Sequence, residues 1–224
     1  MTKRLKEILL LCGIVFTFAA FPVFGQDGPE KFSKDLPNEN FSIDQTPLFD
    51  FLDKVLDRVE KKEVDPEADF LLEIEGELTK EGKFDPQKTR FVRAEGDEQM
   101  IALAENAFEA VNDSGAFFYF SLIKMRKVQM VFAQSGDQIF ATASSEMASN
   151  QNARTTANVL DLLLISSEAR AKDVYAQFLL KSTRVLAEDK NVIIKTAVEK
   201  SAGQEIIKRK LTEQRYRRQN KQGE

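Results

Sequence analysis

Few residues in this chain are equipped for chemistry. Its 224 residues include no histidine and a single cysteine, Cys12. That removes most nucleophile–base pairs and most zinc sites. Carboxylates remain. Within 70–78, Glu73, Glu75 and Glu77 alternate with Leu72, Ile74 and Leu78, so a strand there sets three carboxylates on one face. Such a row can hold a hard cation, or it can pair with Lys88 and Arg90 across a hairpin. Ser121 and Lys124 have the S-x-x-K spacing, in which a lysine activates a serine without histidine. Lys195-Thr196-Ala197 is an incomplete K-T-G, and no S-x-N element stands between the two.

Two other clusters suit contact better than catalysis. Phe117, Phe118, Tyr119 and Phe120 lie in GAFFYFSLI, the most apolar stretch outside the N-terminus. They form either an exposed patch for lipid or protein or a buried connection. The C-terminus holds seven basic residues from Lys208 to Lys221, among them Arg215, Arg217 and Arg218. It offers contact to anionic head groups or to an acidic partner, or it is a helix end where cations suit the dipole.

The N-terminus places the chain. Lys3, Arg4 and Lys6 precede an apolar run over 8–24, which ends Val23-Phe24-Gly25 before Gln26. This is the pattern of a secretory signal peptide over 1–25, and the run sits at the short limit for a membrane anchor if it is not cleaved. Removing it takes away Lys3, Arg4, Lys6 and Glu7 and moves the net charge from −4 to −6. Cys12 goes with it, leaving no thiol and no disulfide. An exported chain is not expected to meet nucleic acid, and no cofactor is expected.

The elements that must position these residues follow from periodicity. Residues 26–45 are polar with Pro29 and Pro37 and read as a linker. Thr46-Pro47 predicts an N-cap and a proline at the first helical position. Leu48, Phe49, Leu52, Val55, Leu56 and Val59 then recur at helical spacing. Three hairpin–helix units follow. Strands at 70–78 and 88–94 lead to a helix at 97–112. Strands at 127–134 and 138–145 lead to a helix at 150–168 and a short one within 172–181. Strands at 183–187 and 192–198 lead to a helix at 201–214, with a basic tail over 215–224. Short Gly, Asp and Asn turns make the hairpins antiparallel. The expected fold is α+β: an N-terminal helix, then three hairpin–helix units, with an antiparallel sheet carrying its helices on one face. The domain spans 46–214, with 46–126 and 127–214 as possible halves.

Residues 70–111, with Gly82 in a charged turn, Gly96 before a helix, and Leu103, Ala107 and Ala110 on a small-residue helical face, resemble the C-terminal domain of TonB and TolA-type envelope proteins. The resemblance covers this segment alone. The proline-rich stalk and the anchor histidine of TonB-type transducers have no counterpart here. It implies an exported, non-catalytic module that binds another envelope protein, with Glu73, Glu75, Glu77, Phe117, Phe118, Tyr119, Phe120, Arg215, Arg217 and Arg218 as contact residues. A strand edge in 70–78 or 192–198 would accept the partner. The alternative is a lipid or apolar-ligand carrier, with 117–120 at the mouth of its pocket.

Overall fold

The computed structural model describes residues 44–65, 67–171, 174–203, 205, 209, 212, 215 and 216. The segment 1–25, the linker up to residue 43, and Arg217 and Arg218 lie outside the described residues. The elements in order are α1 (Thr46–Lys61), β1 (Phe70–Glu77), β2 (Arg90–Gly96), α2 (Glu98–Ser114), α3 (Phe118–Leu122), β3 (Lys127–Ser135), β4 (Gln138–Glu146), α4 (Asn150–Arg170), α5 (Val174–Lys181), β5 (Thr183–Glu188) and β6 (Asn191–Glu199). The described residues after β6 are helical. All strands pair antiparallel in one sheet of order β2-β1-β3-β4-β6-β5. The expected α+β fold of hairpins and helices is the one observed.

Alternation along each strand decides which face is covered. Phe70, Leu72 and Ile74 of β1 lie beside Phe132 and Met130 of β3, Ala141 and Ala143 of β4, and Ile194 of β6. All are buried in one continuous cluster with α1, α2 and part of α4. The Phe, Leu, Ile and Met side chains contribute roughly 1.5–3 kcal/mol each when fully buried. The two halves of the domain therefore share one sheet and one core. The other face carries the alternate residues, and no described helix covers it.

Local chemistry sets the ends of the elements. At α1 the capping acceptor differs from the one expected. Thr46 is the first helical residue, Gln45 is the N-cap and its side chain makes no cap bond. Asp44 Oδ1 accepts from Thr46 N–H at 2.9 Å instead, because an Asx carboxylate two residues back reaches the same amide. In α2, Asp97 accepts from Met100 N–H at 2.9 Å, and Gly115 closes the helix in the left-handed region at φ 77°.

Two glycines are required by space as well as by angle. Gly82 has φ +72°, and a Cβ there would strike the backbone of Phe118 in α3. Gly96 has φ +100°, and a Cβ there would strike the carbonyl of Asp69. The turn between β1 and β2 thus docks on α3. Phe84 N–H donates to Asn112 Oδ1 at 2.6 Å and ties it to α2 as well. The short helix α3 is a feature that periodicity did not predict, since five residues carry too little of a 3.6-residue pattern.

Candidate functional site

The bare face of the sheet gathers polar and charged side chains from all six strands. Strand register sorts it into rows running across the sheet. One row is Arg184, Lys195, Thr142, Val131, Glu73 and Arg93; the next is Leu186, Ile193, Ser144, Gln129, Glu75 and Arg90. Towards the ends of β1 and β3, these rows border a groove of about 590 Å³. Glu75, Glu77, Lys88, Arg90, Lys127 and Gln129 are among its lining residues.

The three carboxylates share this face, as alternation requires, and each has its own partner. Gln129 Nε2 donates to Glu73 at 2.6 Å. Arg90 Nη2 donates to Glu75 at 2.8 Å, and Lys88 Nζ to Glu77 at 2.7 Å. The Lys88 hydrogen bond holds the Glu77 carboxyl below its ordinary range, and Glu77 in turn raises the Lys88 ammonium. Arg93 grips Glu95 through two nitrogens at 2.7 and 2.8 Å and lowers it likewise. Carboxylates divided among separate cations and an amide do not converge on one point. Among the described residues no group of three or more acidic side chains is placed to hold a metal ion. The arrangement is a surface of paired charges and amides.

The serine of the S-x-x-K spacing is engaged by backbone. Ser121 Oγ donates to the Phe118 carbonyl at 2.8 Å within its own helix. Lys195 is exposed on the bare face, while Thr196 is buried on the other, its Oγ1 2.9 Å from that of Thr183.

The aromatic stretch requires a correction. Phe117 is 1% exposed and Phe120 3%. Phe117 packs edge-on to Phe84 at 5.1 Å and tilted against Phe108 at 5.9 Å and Phe120 at 5.8 Å. These rings are part of the core, where such pairs pack best offset or edge-to-face, so they offer a partner or an apolar ligand no surface. Phe118 and Tyr119 are half-buried beside them, and burial raises the Tyr119 hydroxyl.

The edge expected to accept a strand is also corrected. β1 and β6, the strands observed at 70–78 and 192–198, each pair on both sides, so the open edges are β2 and β5. Every residue of β2 is exposed, with Phe91 at 45%. Its ladder to β1 is broken by a register shift at Glu73/Ile74, and charged flanks and bulges of this kind discourage added strands.

Arg215 is helical, and its Nη2 donates to Glu60 of α1 at 2.7 Å, which commits that cation within the fold. Sequence reasoning missed Lys127, Gln129, Ser144 and Lys195 as members of the face. Their signal was present as alternation, but only the strand order reveals which hairpins lie side by side. No family model, no curated protein and no solved structure matches this chain.

Proposed function

We propose that the chain is an exported, non-catalytic module of the cell envelope that works by binding protein through the bare face of its sheet. The observation that carries this reading is the face itself. Six strands present alternating cations, carboxylates and amides around a few apolar side chains, and no described helix covers them. Interfaces of this polar, wet kind bind by complementarity. The basic N-terminal flank and apolar run support export. The order of strand, Gly82 turn, strand, Gly96 and helix supports the resemblance of 70–111 to the TonB and TolA C-terminal type.

A photo-crosslinking residue tests the reading in the exporting cell. Placed at Gln129, on the bare face, it is expected to capture protein. Placed at Glu109, on the exposed side of α2, it is expected to capture none. Equal labelling at both positions, or none at Gln129, overturns the reading.

A further inference from the structure

The face proposed above to bind protein is complementary to itself, and from this we infer that its partner is a second copy of the chain. The inference rests on that reading and names its partner. The strand order β2-β1-β3-β4-β6-β5 reads as outer, inner, middle, middle, inner, outer. A two-fold axis between β3 and β4, parallel to the strands, lays β3 over β4 of the other copy, β1 over β6 and β2 over β5. Two sheets packing face to face in the aligned manner allow this, and an isologous interface requires that one patch meet itself.

The rows decide whether the meeting is favourable. Register puts residues of one row at one height, and the axis keeps each row opposite itself. Glu146 of β4 then faces Lys127 of β3 in the other copy. Lys195 of β6 faces Glu73 of β1. Glu188, at the end of β5, faces Lys88 beside β2. Glu146, Glu188 and Lys195 are all exposed, and none has an ion-pair partner within the chain among the described residues. The axis gives each an opposite charge, and gives it twice. Ser144 meets the Gln129 amide in the next row.

Two like-charge meetings arise, Arg184 with Arg93 and Asp69 with Glu199. The first falls at the outer strands, where twisted sheets diverge, and Arg93 is already held by Glu95 at 2.7 Å. The second falls at the margin of the sheet, where Asp69 Oδ1 already accepts from Gly136 N–H at 3.2 Å. A surface tuned to a different partner has no reason to place its unpaired charges opposite their complements about its own midline.

The test uses the chain as purified after export. In sedimentation equilibrium the average mass is expected to rise towards that of two chains with concentration, and less so at high salt. Lys127→Glu and Glu146→Lys are each expected to weaken association by about tenfold or more, since like charges then oppose across the axis. The double variant, with both changes in one chain, is expected to restore it. The mass of one chain at all concentrations, in a chain that melts cooperatively, overturns the inference. So does a double variant as weak as either single one. The Gln129 crosslink separates the two levels of the argument. An adduct of two chains supports both, an adduct with a different protein overturns this inference alone, and no adduct overturns both.

Discussion

One row on the covered face reads Val185, Ile194, Ala143, Met130, Ile74 and Phe91; the adjacent row on the bare face, one residue along except at the β2 bulge, reads Arg184, Lys195, Thr142, Val131, Glu73 and Arg93. The same six strands carry both rows, with the same backbone hydrogen bonds. Only the side-chain period of two separates them. On the covered face, Ile74, Met130 and Ala143 have no measurable exposure, and dehydration of those groups holds the sheet to α1, α2 and α4. On the bare face the charges remain solvated, and their pairings contribute little to folding. Stability thus belongs to one side of the layer, and the recognition proposed above to the other. A substitution on either side should disturb mainly one of them.

The sharpest way to break that division is a cavity on the covered face. Ile194→Ala is expected to cost about 2–5 kcal/mol in chemical denaturation, from lost transfer free energy plus the void left behind. Self-association per folded molecule should be unchanged. A loss below about 0.5 kcal/mol would mean that the core is not concentrated where burial places it.

Gly82→Ala comes next. The left-handed φ alone costs of order 1–3 kcal/mol in a non-glycine residue, and the added methyl presses on the Phe118 backbone. Restoring space by Phe118→Ala should recover little, because the clash is with main chain.

The smallest effect is on the bare face and is a matter of pH. Lys88 lowers Glu77 in the folded chain, so the pairing stabilises above the unfolded carboxylate value, about 4.3. That contribution is lost as pH falls through the lower folded value. Wild type should therefore lose slightly more melting temperature than Glu77→Gln between about pH 6 and about pH 3. Equal losses would show that the Glu77–Lys88 contact at 2.7 Å is energetically silent.

Much of this architecture was legible in the chain, because it is periodic. Leu48, Leu52, Val55, Leu56 and Val59 spelled α1, and alternation spelled each hairpin to within a residue or two. Phe49 is half-buried against the core as its spacing implies, but Phe51, which is 4% exposed, escaped the pattern because it lies near the edge of the apolar stripe. Strand order was not legible. Hairpins are local, whereas the choice of β1 beside β3 and of β6 beside β4 depends on contacts between distant segments. For that reason the glutamate row could be named but its neighbours Gln129 and Lys127 could not, and the edges fell on the wrong strands. The aromatic stretch shows a different limit: four adjacent rings are equally apolar whether they face water or one another, and only packing distinguishes the two.

The nested strand order has a kinetic consequence. Each hairpin closes over a few residues and can form early. The seams between hairpins join partners far apart in the chain, Phe70 with Gln134 and Gln138 with Glu199, and closing such long loops is slow. Until both seams close, β1, β3, β4 and β6 each have an unpaired side, and the rows destined for the core are wet. Nascent chains are most prone to stick to one another in that interval, and its length is set by how fast the middle hairpin captures its two neighbours.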